Sequence, residues 1–382
     1  MTRCPDCFSA LAADRSSWRC TAVGCEHHVV PRGADDHPAG DFTLQHAVPA
    51  RGPAPEVSAP TCTGCGNPCA EVCRSPVHRD GARVPCGYRL PRGWRSARSV
   101  CVAMAGARST GKSIYIGVLV KQLQQLRRLG MTVIEADEDT ARTYAEFYEK
   151  PLYAERNIMP PTGTADARTA YQRTPLVYSL RTREGAHWFL ALRDVAGEDL
   201  EQQGDARRLG FFAQADGVVF LFDPLAVPAV RASLSDTVLP QVSSADPERV
   251  LARTLELVGG HRPRLAVVLS KFDAMHALAH VEGSPLRGVM RNPGAACQRD
   301  QGPLTGYDED DARRLHEEVR SLLDRLRAES LVGRLEWSGL EHRYFAVSAL
   351  GEAPTGQALH GRGIAPFRCL DPIKWLMAPV VA

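Results

Sequence analysis

Apolar residues along this chain fall mostly in short uninterrupted runs, each closed by a polar or glycine-rich turn. Residues 99–105, 176–183, 187–194, 217–223, 265–269 and 343–347 are such runs. They are too short for helices and rich in Val, Leu, Ala and Phe, so they predict buried strands. The second and third are separated only by Glu184, Gly185 and Ala186, a hairpin connection. Helical spacing appears instead over residues 114–129 and 308–328. In the latter, Leu315, Val319, Leu322 and Leu326 share one face, and Asp308, Glu309, Asp310 and Asp311 suit the positive helix start. Residues 370–376 predict a docked closing helix. Strands alternating with helices predict an α/β fold: a mainly parallel sheet, one antiparallel strand, helices on both faces.

Upstream of residue 99 this pattern is missing, which divides the chain. Residues 1–28 read as one compact module. Residues 29–60, rich in Pro, Gly, Ala and Asp, read as a linker. Residues 61–98 form a second module with a basic linker, and 99–382 form the α/β body with an insertion near 274–307. A length of 382 residues has room for two or three domains, and 44% apolar with 24% charged residues is ordinary globular composition. Disordered, collagenous and coiled-coil classes are excluded. The apolar run 217–222 is cut by Asp223 and Pro224, so no membrane segment is expected. Met1-Thr2-Arg3-Cys4-Pro5 has no apolar leader core, which predicts a cytoplasmic protein. Net charge is only +2, so any nucleic-acid role needs a local patch.

Cysteine changes the picture. Nine of the twelve lie before residue 87. Without a leader for an oxidising compartment, clustered thiolates point to metal and away from disulfides. Cys4, Cys7, Cys20 and Cys25 are assigned to one Zn²⁺. Cys62, Cys65, Cys73 and Cys86 are assigned to a second, with Cys69 and His78 as competing ligands. Cys101, Cys297 and Cys369 are isolated and expected to be buried as small hydrophobes. Arg83, Arg89, Arg92, Arg95 and Arg98, with Tyr88 and Trp94 among them, make a basic run. Such a strip is more often a tether or a protein-docking surface than a nucleic-acid site.

The strand at 99–105 runs into Gly106-Ala107-Arg108-Ser109-Thr110-Gly111-Lys112-Ser113 and then a helix, the strand–loop–helix setting of a phosphate-binding loop. Its glycines let backbone N–H groups face phosphates at a helix start. Lys112 is positioned to act on the β- and γ-phosphates, and the Ser113 hydroxyl to ligate Mg²⁺. Only five lysines occur in the chain, against a large excess of arginine, so Lys112 and Lys271 stand out. The hairpin ends in Asp194-Val195-Ala196-Gly197, where Asp194 suits the Mg²⁺ shell and the Gly197 amide a γ-phosphate.

This hairpin-borne D-x-x-G resembles the translation-factor-related (TRAFAC) class of P-loop GTPases. The resemblance extends to Ser270-Lys271-Phe272-Asp273, similar to that class's guanine motif, and to Ser348-Ala349-Leu350, similar to its base-contacting loop. It implies that Asp273 accepts both guanine hydrogens, that Lys271 packs along the base, and that the ligands are GTP/GDP and Mg²⁺. Sites of this type reject a mismatched base by roughly 10⁴-fold. Where such GTPases often carry Gln after the glycine, this chain has Glu198. That implies either slow intrinsic hydrolysis or a partner that completes the site. Thr162, Thr164, Thr169 and Thr174 are candidates for the switch I ligand, and Thr164 is selected. Zinc-ribbon head, GTPase body and closing tail together resemble the double-GTPase proteins of bacterial conflict systems. The implied function is a GTP-binding switch docking a protein partner through its zinc head or switch regions. The alternatives are a weakly hydrolysing nucleotide-binding scaffold and, third, an ATPase.

Overall fold

The computed structural model describes residues 2–25, 28–31, 59–79, 81–158, 174–201, 206–227, 246–280, 287–300, 307–352, 354 and 358–381. The head is woven and not built as two modules in series. Strands β1 (Ser16–Cys20), β2 (His28–Pro31) and β3 (Cys69–Cys73) form a three-stranded sheet in the order β2-β1-β3. β1 and β3 run antiparallel, with Ser16 opposite Cys73 and Cys20 opposite Cys69. β2 thus takes up the start of the stretch assigned to a linker; the rest of it, up to residue 58, lies outside the described residues. A hairpin of β4 (Pro76–Arg79) and β5 (Ala82–Pro85) follows.

In the body, the six apolar runs become β6 (Arg98–Gly106), β8 (Leu176–Arg181), β9 (His187–Arg193), β10 (Gly217–Phe222), β11 (Arg264–Leu269) and β12 (His342–Ala346), joined by a short β7 (Thr132–Glu135). Their order is β12-β11-β10-β6-β9-β8-β7. β8 alone runs against its neighbours. β6 and β10 at the sheet centre are almost wholly buried, as a parallel strand covered on both faces must be.

Helix Lys112–Gln125 follows β6 after the loop 107–111 and continues as a 3-10 turn to Leu129. Helix Glu309–Arg325 starts at Asp308, whose carboxylate accepts from the Asp311 amide at 3.0 Å. That capping bond replaces one of the partners a helix start lacks. Leu315, Val319 and Leu322 on this helix, and Leu326 at its C-cap, are all buried. The described stretch 287–300 of the insertion is docked, since Glu318 of the same helix accepts from the amides of Ala296 and Cys297 at 2.9 Å each. Closing helix Asp371–Val381 buries Trp375, whose ring is covered by the Arg264 guanidinium at 4.2 Å. Cys101, Cys297 and Cys369 are buried, as expected.

Candidate nucleotide site and cysteine clusters

The parallel strands β6, β9, β11 and β12 all end on one edge, which collects the chemistry-bearing turns. Gly106 closes β6 with φ +141, and a Cβ there would stand 2.5 Å from the Leu221 carbonyl oxygen; only glycine lets the loop leave beside β10. The loop winds into its helix with Ser109 and Gly111 also left-handed (φ 63 and 86). Lys112 Nζ is buried and donates to the carbonyls of Gly106 at 2.7 Å and Ala107 at 2.9 Å. Burial pushes its ammonium below the ordinary value, while the charges of Asp194 and Glu201 pull it back.

At the end of β9, Asp194 accepts from Ser113 Oγ at 3.2 Å. Burial raises this carboxyl above its usual range, opposed by Lys112, by the Val195 amide and by Ser113. The structure therefore brings Lys112, Ser113 and Asp194 together at one point, the arrangement a phosphate-bound Mg²⁺ requires. Gly197 packs against the phosphate loop itself, where a Cβ would lie 2.3 Å from the Arg108 nitrogen. Two contacts absent from the sequence reading lie on the same turn. Arg108 Nη1 is 2.8 Å from Glu198 Oε1, and the Arg108 amide donates to Glu201 Oε1 at 2.6 Å. Thr164 lies outside the described residues.

The two turns expected to recognise the base also meet. Ser270 donates its backbone N–H to the Phe222 carbonyl at 2.9 Å and its hydroxyl to the same oxygen at 3.1 Å. Lys271, at φ 51, reaches the buried Asp223 carboxylate at 2.8 Å. Ser348 Oγ donates to Asp273 Oδ1 at 2.5 Å, and the Phe272 amide donates to the Val347 carbonyl. Ala349 and Leu350 continue the same turn, where the Leu350 carbonyl accepts from Ala365 at 2.9 Å. Asp223 was missed in the sequence reading because its role needs the β10–β11 pairing.

Among the described residues, the thiols form two groups of four, each with sulfurs within 4.8 Å of one another. One comprises Cys4, Cys7, Cys73 and Cys86, the other Cys20, Cys25, Cys62 and Cys65. The eight assigned residues are those expected, but the division by sequence neighbourhood is corrected. Antiparallel pairing of β1 with β3 sets the thiols before β1 beside those at and after the end of β3, and the thiols at and after the end of β1 beside those before β3. Nearest sulfurs are 3.4 to 3.8 Å apart. Tetrahedral Zn²⁺ with Zn–S near 2.3 Å demands about 3.8 Å, so both groups fit zinc. Cys69 and His78 belong to neither group. Cys69 is buried, and burial raises its thiol above the ordinary value.

The first group is fastened to the nucleotide site. Asp6, between Cys4 and Cys7, is buried and accepts from Arg193 and Arg79 at 2.7 Å each, with Cys86 Sγ 3.3 Å from the same carboxylate. Arg193 precedes Asp194 and lies 4.2 Å over the Phe211 ring, which Phe8 meets edge-on at 5.5 Å. The basic run is partly internal: Trp94 is buried and donates to the Arg3 carbonyl, and Arg95 grips Glu71 and the Leu11 carbonyl. Trp94 also meets Phe189 of the body at 4.9 Å, whereas Arg95 ties elements of the head to one another.

The chain is similar in sequence to known proteins. The sequence profile of the family described as Double-GTPase 2 matches residues 100–327. A protein of Mycolicibacterium smegmatis (strain ATCC 700084 / mc(2)155) described as "Putative ESX-1 scaffolding and assembly protein SaeC" is 44% identical over 390 residues, covering 98% of each chain. Among solved structures, the bacterial selenocysteine-specific elongation factor EF-Sec aligns with 74% of this chain and 29% of its own, at 13% identity and TM-score 0.30. Sup35 complexed with GDP aligns with 70% of this chain and 41% of its own, at 15% identity and TM-score 0.27. No helix among the described residues is long and apolar enough to cross a membrane.

Proposed function

Because the chain belongs to the Double-GTPase 2 family and is thereby a GTP-binding protein, we propose that it is a Mg²⁺-dependent switch with slow intrinsic turnover and a zinc-braced head that docks a protein partner. The convergence of Lys112, Ser113 and Asp194 at one strand edge, with Asp273 and Ser348 on the same edge, carries this reading. Backbone amides of Gly106 to Ser113 cradle the phosphates at the helix start. Ser113 and Asp194 hold Mg²⁺, with Thr164 the switch I ligand. The bound ion neutralises charge on the β- and γ-phosphates. Asp273 pairs with the guanine N1 and 2-amino hydrogens, fixed in place by Ser348, and Lys271 packs along the base. Adenine would leave that carboxylate unsatisfied, which disfavours an ATPase.

Titration with GTP and ATP tests the reading. Preference for GTP of at least ~100-fold is expected, and equal affinity overturns it. Asp273→Asn is expected to move preference toward xanthine nucleotides.

A second reading is favoured by the relative described as a scaffolding and assembly protein: a nucleotide-binding scaffold that recruits protein partners and hydrolyses little. Single-turnover GTP hydrolysis separates the two. A switch shows nucleotide-dependent hydrogen exchange over residues 194–201 with measurable turnover, whereas a scaffold shows neither.

A further inference from the structure

The turn after Asp194 presents two carboxylates, and both are engaged with the third residue of the phosphate loop. Glu198 places Oε1 2.8 Å from the Arg108 guanidinium, and Glu201 takes the Arg108 backbone amide at 2.6 Å. Gly197 abuts the same peptide so closely that no side chain would fit between them. One residue thus supplies both a cation and an N–H donor, and one turn of chain covers both with acidic groups. The Glu198 contact is an ion pair without hydrogen-bond alignment, since its buried Oε1 has no aligned donor. Such a contact is held by charge and exchanges readily for a better-aligned anion. Glu201 also reaches Lys112 electrostatically.

We infer that Glu198 and Glu201 are specificity-determining residues that tilt this site toward the diphosphate, because a γ-phosphate must displace them from Arg108 to bind. This rests on the GTP-binding reading above. On that reading a diphosphate is held by the amides nearer the helix start, and both carboxylates stay on Arg108. A triphosphate brings further negative charge to the same cation, so it either displaces the carboxylates or suffers their repulsion. When displacement occurs, Arg108 exchanges carboxylate for phosphate oxygens and the turn 197–201 is freed. The chain then carries in cis a cation that the Glu198 substitution alone would assign to a partner. Discrimination is set by the difference in affinity for the two arrangements of the turn.

The test measures dissociation constants of GDP and of a non-hydrolysable GTP analogue, with Mg²⁺, on the full-length chain. The parent protein is expected to bind GDP about 10-fold more tightly than the analogue. Glu198→Gln with Glu201→Gln keeps shape and removes both charges. It should tighten the analogue about 10-fold while GDP moves by less than about 3-fold. Arg108→Ala should act with the opposite sign, weakening the analogue and sparing GDP; a latch with only a structural role would not separate the two nucleotides. Thermal melting of each variant confirms folding. A parallel change in both affinities, or an unchanged ratio in the double variant, overturns the inference while leaving the GTP-binding reading intact. Failure of the parent protein to bind either nucleotide overturns both.

Discussion

The two four-cysteine groups have the same ligands and different dependents. Cys4, Cys7, Cys73 and Cys86 are all buried and belong to the apolar core that runs through the body sheet. Cys20, Cys25, Cys62 and Cys65 sit around a small separate core with Trp18 and Cys69, and Cys65 is exposed. The deep group, through Asp6 and Arg193, reaches the residue next to Asp194. The outer group joins the end of β1 to the chain entering β3, within the head. Equal chemistry therefore does not imply equal consequence: a metal site contributes according to what packs on it.

The largest effect separating them is on stability. Cys73→Ser is expected to remove one metal equivalent and destabilise the whole chain by more than ~3 kcal/mol, since structural zinc sites contribute on the order of 10 kcal/mol in isolated fingers. Cys62→Ser is expected to remove one equivalent and leave GTP affinity within about 2-fold. Metal analysis with chemical denaturation checks both, and equal losses would erase the distinction. A chelator should next release metal in two steps, the outer equivalent from the folded chain and the deep one only with unfolding. Simultaneous release under native conditions contradicts the depth argument.

A smaller effect should reach the nucleotide. Asp6→Asn weakens the hold on Arg193 and is expected to raise the Mg²⁺ concentration needed for tight GTP binding by about 3-fold, with Mg²⁺-free binding unchanged. Asn67→Ala, beside the outer group, should leave the requirement alone. The smallest effect lies far from both groups. His316 Nδ1 accepts from the Tyr344 amide, which requires that nitrogen unprotonated. Burial, then the His342, Arg343 and Arg320 charges, lower its pKa to about 4, against a weaker opposing pull from Glu317. The folded value lies below the unfolded one, so its contribution is complete above pH 6.5 and is lost as pH falls toward 4. Melting temperature should decline across that window, and His316→Gln should flatten part of the decline.

Much of this was legible because the relevant signals are local. Apolar runs gave the six long strands within one or two residues, and Asp308 announced its helix by charge. The strand-edge turns bearing Lys112, Ser113, Asp194 and Asp273 followed from the strands. β7 was not foreseen: in four residues it buries only Val133, too little for a period to appear. The cysteine partition was misread for a different reason. Neighbouring thiols look like partners until β1 is known to pair with β3, a contact spanning some fifty residues that no local pattern encodes. Asp6–Arg193 and Arg108–Glu198 are likewise tertiary pairs, with nothing in either residue's surroundings to flag the other.

The woven head has a consequence for a severed chain. Each metal group takes two thiols from residues 4–25 and two from residues 62–86. A single peptide-bond break between residues 31 and 59 therefore divides no ligand pair, and with zinc in both groups the two pieces would stay joined by β1–β3 pairing and by eight thiolate bonds. Held this way, the short piece faces its counterpart at an effective concentration set by the fold and not by the solution. The nicked protein is expected to travel as one species in a native separation and to come apart only when denaturant and chelator act together, so covalent continuity is dispensable there once the ions are in place.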